Sequence, residues 1–255
     1  PINDVELEVK EWARDKKSEI DQLKDQEKFR REFLSNISHE LKTPLFAIQG
    51  YIEALQEGDI DDPEMSKQFL EKASRNVDRL AFFIKDLDAI SKLESGEIPV
   101  KYDRFNLTDL IHEVIDSLEL KAKKYNITLH FKEKYHSPTW VYADREKIRQ
   151  VFVNLIDNSF KYGKSGGSTS IKTFELHDQI LVEITDDGIG IEEKYLPRLF
   201  ERFYRTDKSR SRQIGGSGLG LAIVKHIIEA HQQTITVRST ENIGSTFGFT
   251  LQRDK

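Results

Sequence analysis

The 255-residue chain contains no cysteine, which excludes disulfide scaffolds, thiolate metal sites and cysteine nucleophiles. It has no apolar run near the ~18 residues of a membrane span and no signal peptide at its start. Positive charge is not in excess either, because 39 Lys and Arg against 44 Asp and Glu give a net charge of -5. This balance argues against a nucleic-acid partner. The chain is instead rich in charge of both signs, at 33% of residues, which indicates helices that are solvated on most sides.

Proline and glycine are scarce in the N-terminal part. After the first residue no proline precedes Pro44, and no glycine precedes Gly50, so we predict one long helix over residues 1 to about 56. Pro44 lacks an amide donor and should bend this helix. The apolar seam of residues 1–27 is too thin to stabilise a lone helix. We therefore predict that this segment forms a coiled coil with a second copy.

A second amphipathic helix is predicted from Pro63 to about Gly96. With the end of the first helix it forms an antiparallel hairpin over residues 28–95. One hairpin can hide its apolar stripe on one side only, whereas two hairpins make a four-helix bundle. We therefore expect a homodimer, the alternative being a monomer that folds the stripe onto the following domain.

The pattern changes after Pro99, and residues 100–252 form a second domain. Strands and helices are interspersed there without regular alternation, so the expected fold is α+β, a two-layer sandwich rather than a doubly wound sheet. The predicted helices are 106–125, 144–162 and 219–231, capped by Asn106 and Asp144 at the first two starts. The predicted strands are 100–105, 127–133, 139–143, 169–175, 180–186, 235–239 and 245–251.

A histidine on the first helix has the pattern of a nucleophile. His39 lies about 200° around the helix from the apolar position Ile37 and should point into water. A neutral imidazole nitrogen can attack phosphorus near pH 7, and Glu40 beside it can fix the tautomer and accept a proton. Thr43, one turn later, can position a water for the reverse reaction. Taken alone, an exposed helical histidine next to a glutamate is more often ordinary solvated surface.

A polar helix face in the second domain suits a metal-bound phosphate. Asn154, Asn158, Lys161 and Tyr162 share one side of the helix. The amide oxygen of Asn158 is a hard ligand for Mg²⁺, which takes few protein oxygens and also binds phosphates. Lys161 can neutralise a phosphate. The alternative is a common polar helix face.

A carboxylate and two glycines follow a predicted strand, in residues 186–191 (DDGIGI). Asp186 can accept a hydrogen bond from an adenine amino group. Gly188 and Gly190 remove side chains where a base must approach the backbone. The alternative is an ordinary Asp-Gly turn.

Two further segments complete a candidate nucleotide site. In residues 199–205 (LFERFYR), aromatic side chains can anchor the following loop and Arg205 can reach a phosphate, although a small apolar cluster explains the aromatic pair as well. Residues 215–220 (GGSGLG) open a helix, where successive backbone amides bind anions. This segment lacks the lysine of a P-loop, so Lys161 must supply the cation. The polar segment 206–215 suits a mobile lid.

These motifs together resemble those of the sensor histidine kinases. Residues 38–44 (SHELKTP) resemble the phosphoacceptor box of that family, and 154–162, 186–190, 200–203 and 216–220 resemble its N, first glycine, F and second glycine boxes. All five occur in the family's order, over roughly residues 28–252. The resemblance implies an ATP-dependent, Mg²⁺-requiring homodimer that phosphorylates itself on His39. The phosphoryl group then passes to an aspartate in the receiver domain of a response regulator, with dephosphorylation of that regulator as a second mode.

The resemblance also assigns roles residue by residue. His39 is the phosphoacceptor, Glu40 its base and Thr43 the position linked to dephosphorylation. Asn158 binds Mg²⁺, Asp186 binds adenine, and Lys161 and Arg205 bind phosphates. The remaining residues implied at the nucleotide are Asn154, Tyr162, Gly188, Gly190, Ile191, Gly216, Gly218, Leu219, Gly220 and Thr246.

Asp187 departs from the family pattern, which more usually has Asn or Thr there. The resemblance further implies the cytoplasmic portion of a membrane-anchored receptor, with residues 1–27 as its signalling coiled coil. Its only membrane contact is then expected through an upstream segment outside this chain. Two rival interpretations stay open: a catalytically silent dimeric scaffold that binds ATP, and an ATP-driven clamp of the chaperone or topoisomerase type. The clamp resembles the second domain alone and has no use for the face that carries His39 and Glu40.

Overall fold

A computed structural model describes residues 2–56, 62–94, 100–132, 138–206 and 217–254. The chain divides into two compact units, Pro1–Phe82 and Phe83–Lys255. Among the described residues, no helix has both the length and the apolar character needed to cross a membrane.

The first unit is built on two long helices, α1 (Ile2–Gln56) and α2 (Pro63–Glu94), the end of α2 belonging to the second unit. The ring centroids of Tyr51 and Phe69 are 5.5 Å apart, and Arg79 contacts Glu40. The contact residue later in α1, Tyr51, meets the residue earlier in α2, Phe69. The two helices are therefore antiparallel, and the predicted hairpin is confirmed.

The predicted start of α2 is confirmed, because Asp62 Oδ1 accepts a hydrogen bond from Glu64 N at 2.9 Å. Pro63 occupies the first helical position, where an amide proton would have no partner. Pro44 is buried inside α1, and the helix continues through it. The proline therefore does not end the helix.

The second unit adds helices, strands and one 3₁₀ helix (Glu193–Arg198). The helices are α3 (Leu107–Tyr125), α4 (Arg145–Tyr162) and α5 (Gly220–Ala230). The strands are β1 (Asp103–Asn106), β2 (Thr128–Phe131), β3 (Trp140–Ala143), β4 (Ser168–Glu175), β5 (Gln179–Asp186), β6 (Ile235–Thr240) and β7 (Gly244–Gln252).

The main sheet has five strands in the order β2-β4-β5-β7-β6. Only the β2–β4 pair is parallel, and the other pairs are antiparallel. Helices α3, α4 and α5 each contact this sheet, and α4 contacts both of the other helices, while β1 and β3 form a separate two-stranded sheet. The predicted two-layer α+β sandwich is confirmed.

Strand β2 is shorter than its predicted range of 127–133, since it covers Thr128–Phe131, and β1 begins at Asp103 rather than at residue 100. The backbone amide of Lys101 donates to Asp144 Oδ2 at 3.0 Å instead of entering a strand ladder. The alternating pattern of residues 100–105 could not reveal this competing partner.

Local signals fix the helices that carry the candidate site. Asn106 Oδ1 accepts from Thr108 N at 3.2 Å, and Asp144 Oδ1 accepts from Lys147 N at 3.1 Å, as helix caps do. On α4, the side chains that pack into the core are at most 1% exposed, among them Phe152, whose ring meets Phe249 edge-on at 5.5 Å. Burial of this stripe leaves the polar face of α4 on the other side.

Candidate functional site

The phosphoacceptor candidate is exposed on α1, as the sequence predicted. Glu40, the next residue, is half-buried, and its Oε2 lies 3.3 Å from Arg79 Nη2 on α2. The Thr43 hydroxyl donates to the His39 carbonyl oxygen at 3.1 Å. The imidazole is therefore accessible, and the neighbouring carboxylate is held in place by a cation.

Arg79 was missed by sequence reasoning. It lies 39 residues from Glu40, so only the register of the hairpin brings the two together. An arginine beside a carboxylate fixes the direction of that carboxylate through a charge-assisted hydrogen bond.

On α4, the predicted polar face is present, and its four side chains are all half-buried. Asn154 Nδ2 is buried and has no hydrogen-bond partner among the described residues. A Cβ added to Gly220 would lie 4.0 Å from Asn154 Cγ, so this amide faces the start of α5. An unsatisfied buried donor costs about 1–3 kcal/mol, and an acceptor such as a phosphate oxygen would satisfy it.

The cation on this face has a partner that the sequence reasoning did not name. Lys161 Nζ lies 2.8 Å from Asp157 Oδ2, and the ammonium group of Lys121 on α3 contacts Asp157 Oδ1. Burial alone would raise the pKa of Asp157, but the charges of Lys161 and Lys121 outweigh it, and the pKa is lowered. The carboxylate is therefore ionised between two ammonium groups.

Asp186 lies at the end of β5, where its Oδ1 accepts hydrogen bonds from Gly188 N at 2.9 Å and Ser245 N at 3.3 Å. Burial raises the pKa of this carboxyl above its usual range. Both backbone bonds use Oδ1, which leaves Oδ2 for a ligand. On the neighbouring strand, the Thr246 hydroxyl lies 3.0 Å from that of Thr185.

The two glycines after Asp186 are required by the backbone. A Cβ on Gly188 would lie 2.5 Å from Tyr162 O and 2.8 Å from Asp186 Oδ1. Gly190 has φ +65°, and a Cβ there would overlap Thr240 O. Close packing and a left-handed backbone thus hold the turn after Asp186, and Ile191 N donates to Ser239 Oγ at 2.8 Å just beyond it.

The F box and the second glycine box meet through their backbones. Phe203 N donates to Gly218 O at 2.9 Å, and both residues have positive φ, +60° and +71°. Leu219 is fully buried and Gly220 begins α5. Gly216 and most of the predicted lid, residues 207–216, lie outside the described residues, while Arg205 is half-buried beside them.

A carboxylate from the end of α2 also reaches this segment. Ser217 Oγ donates to Asp86 Oδ2 at 3.1 Å and accepts from Leu219 N at 3.2 Å. The rings of Phe83 and Phe203 are 6.4 Å apart by their centroids. Burial raises the pKa of Asp86. No local signal in the sequence could have paired residues so far apart.

Asp187, the departure from the family pattern, has a structural role. Its carboxylate accepts from Ser168 N at 2.9 Å and from Ser168 Oγ at 2.9 Å, which fixes the start of β4. His231 is likewise structural, since its Nε2 accepts from Asp144 N at 2.9 Å. Its Nδ1 lies 2.7 Å from Ile227 O, and burial lowers its pKa.

A two-layer unit with a polar helix face, a carboxylate at a strand end and a glycine-opened helix has the architecture of one ATPase class. Residues 143–255 match the family described as histidine kinase-, DNA gyrase B-, and HSP90-like ATPase. Residues 29–96 match the His Kinase A (phospho-acceptor) domain. The chain therefore belongs to the sensor histidine kinase family, as its motifs indicated. A clamp of the chaperone type would leave the second match unexplained.

Similar proteins agree with this assignment. The sensor protein kinase WalK of Staphylococcus aureus is 36% identical over 227 residues, which cover 88% of this chain and 54% of that protein. The chain thus spans about half of the length of this relative. The Acinetobacter baumannii histidine kinase AdeS has a TM-score of 0.70 at 25% identity, over 85% of this chain and 98% of the other. Histidine kinase ThkA in complex with the response regulator TrrA has a TM-score of 0.71 at 28% identity, over 88% and 61%.

Proposed function

We propose that the chain is an ATP-dependent protein histidine kinase that phosphorylates His39 and passes the phosphoryl group to an aspartate of a response regulator. The observation that carries the proposal is an exposed imidazole beside a half-buried, arginine-held carboxylate, in a chain that also has an ATPase-like domain. The likeness to ThkA, which was solved with a response regulator, supports the same class of partner.

The transfer step needs only positioned groups. A ring nitrogen of His39 attacks the γ-phosphorus, so that an N–P bond forms while the P–O bond to ADP breaks. Glu40 accepts the proton that the imidazole loses, and its ion pair with Arg79 at 3.3 Å holds the carboxylate in position. Positioning and charge neutralisation account for most of the catalysis in phosphoryl transfer.

The nucleotide is held by residues of the second unit. Asp186 Oδ2 accepts from the adenine amino group, Lys161 and Arg205 neutralise phosphates, and the buried amide of Asn154 donates to one of them. Tyr162, Ile191, Leu219 and Thr246 line the pocket, and the glycines from 216 to 220 bring backbone amides close.

The donor set fits Mg²⁺. The described residues contain no cluster of three or more acidic or histidine ligands, but Mg²⁺ on a nucleotide needs only one or two protein oxygens besides phosphates and waters. Asn158 would supply one such oxygen. When bound, the ion neutralises charge that develops on the phosphates.

The reverse mode of the enzyme uses Thr43. Its hydroxyl is exposed and donates to the His39 carbonyl at 3.1 Å, so it must rotate away to orient a water toward an aspartyl phosphate. Thr43 lies one turn from His39, so a response regulator docked on this face of α1 would be within reach of both residues, for phosphotransfer and for dephosphorylation.

The functional unit is a homodimer. Large apolar side chains of the hairpin are exposed, such as Leu45 at 53%, Phe46 at 62% and Val77 at 52%, and a second hairpin would cover them. We also assign the chain to the cytoplasm, where ATP and receiver domains occur, as a portion of a receptor anchored by another segment. Light scattering during size exclusion tests the dimer, and a monomer mass at micromolar concentration would contradict it.

The kinase assignment is tested with γ-labelled ATP and Mg²⁺. The wild type should acquire an acid-labile, base-stable label, whereas His39→Gln should acquire none and keep its nucleotide affinity. Asn158→Ala should abolish labelling through loss of the metal ligand. A silent scaffold would bind ATP and remain unlabelled, and label on His39→Gln would refute the site.

A further inference from the structure

A three-charge cluster joins two helices beside the candidate phosphate site. Asp157 on α4 contacts Lys161 one turn later and Lys121 on α3. The side chains of Asp157 and Lys161 are only 19% and 24% exposed, while that of Lys121 is 42% exposed. The carboxylate is thus largely enclosed, and Lys121 reaches it from the rim.

The sum of these charges decides what a phosphate would meet. Lys161 with Asp157 alone is a neutral pair, whose field falls off quickly and attracts a polyphosphate weakly. Lys121 adds a second positive charge, so the cluster of three has a net charge of +1.

The cluster also limits where the Lys161 ammonium can lie. A lysine side chain loses rotamer entropy when it is fixed, and the 2.8 Å contact to Asp157 does this before any ligand arrives. Asn158 follows Asp157 directly in the sequence, so the same turn of α4 carries the fixed ammonium and the proposed metal ligand.

We propose that Lys121 is a positioning residue of the nucleotide site: it neutralises Asp157 so that Lys161, held by the same carboxylate, keeps a net positive charge for the phosphates of ATP. This rests on the proposed function, because it assigns Lys161 to those phosphates. Lys121 itself need not touch the nucleotide. Its effect should therefore appear in ATP binding and pass through Lys161.

Three variants of the full chain test this inference. Lys121→Met should raise the KM for ATP and the Kd for Mg²⁺-ADP by about threefold to tenfold, with kcat within about twofold, as loss of uniform binding predicts. Lys121→Arg should restore both constants, since a guanidinium also pairs with a carboxylate. Lys123→Met is the matched control on α3, because Lys123 pairs with the exposed Glu119 at 2.7 Å.

A double-mutant cycle separates this role from a structural one. In an Asp157→Asn background, Lys121→Met should add little further loss of affinity, because no carboxylate remains for Lys121 to neutralise. Equal losses in both backgrounds, or an unchanged KM with only a lower melting temperature, would overturn the inference. If the wild type itself fails to bind Mg²⁺-ATP, the proposed function fails first and this inference with it.

Discussion

Replacement of Asp186 by asparagine turns one hydrogen-bond acceptor of the side chain into a donor and preserves the shape of the side chain. The Oδ1 of Asn can still accept from Gly188 N and Ser245 N, the bonds that measure 2.9 Å and 3.3 Å in the wild type. The other carboxylate oxygen becomes an NH₂ group, which donates. An adenine amino group, itself a donor, would then face a second donor.

The expected cost to binding follows from the lost bond. A hydrogen bond to a charged group contributes about 1.5–3 kcal/mol, which corresponds to a weaker Kd for ATP by about 10-fold to 150-fold.

The same substitution should not reduce the stability of the folded chain. Burial raises the pKa of Asp186, so the folded state disfavours the ionised carboxyl, and stability falls as pH rises from the unfolded pKa through the folded one. At neutral pH the uncharged Asn removes that cost, and the melting temperature should not fall.

The assay is calorimetric titration with ATP and with inosine triphosphate, alongside thermal melting. Asp186→Asn should lower the preference for ATP over inosine triphosphate, because the new donor matches the 6-oxo group of inosine. Asp187→Asn is the matched control, since that carboxylate holds Ser168 at 2.9 Å. It should change stability without changing the nucleotide preference. An unaltered preference in Asp186→Asn would refute the adenine role.

Two further predictions concern stability. Because burial lowers the pKa of His231, its neutral form stabilises the fold, and the free energy of unfolding in urea should fall as pH drops below about 6.5; His231→Gln should reduce that dependence, and an unchanged slope would contradict the reasoning. Gly190 has a φ of +65°, and a Cβ there would overlap Thr240 O. Gly190→Ala should therefore lower the free energy of unfolding by more than the cost of a left-handed backbone alone, which is about 1–2 kcal/mol. Gly166→Ala, at φ +80° with open space around it, measures the backbone part alone, and equal losses in melting temperature would refute the overlap.

Local chemistry in the sequence was sufficient for much of the fold. The caps Asn106 and Asp144 act within a few residues, and the structure places both where the sequence predicted. The polar face of α4 followed from helical spacing in the same way.

Contacts between distant segments could not be predicted. The pairing of Glu40 with Arg79 depends on the register of the hairpin. The contact of Lys121 with Asp157 depends on how α3 packs against α4. Each residue alone looks like ordinary surface charge in the sequence, so one chain without tertiary information gives no reason to single it out.

The same limit applies to the backbone of the second glycine box. Its glycines indicated close approach to a ligand, but the structure shows that Gly218 also approaches Phe203, with the added Cβ only 2.8 Å from Phe203 Cα. Gly218 is therefore needed for the packing of the two motifs against each other, as well as for the close approach of a ligand. Asp187 similarly departs from the family pattern for a reason found only in its bonds to Ser168.

The central claim is that the exposed imidazole of His39 receives the γ-phosphoryl group of ATP. The most direct measurement is peptide mapping by tandem mass spectrometry, at alkaline pH, after incubation of the full chain with ATP and Mg²⁺. We expect one phosphorylated peptide, with the added mass on the ring of His39. Phosphate on a serine, a threonine or another histidine, with His39 unmodified, would contradict it.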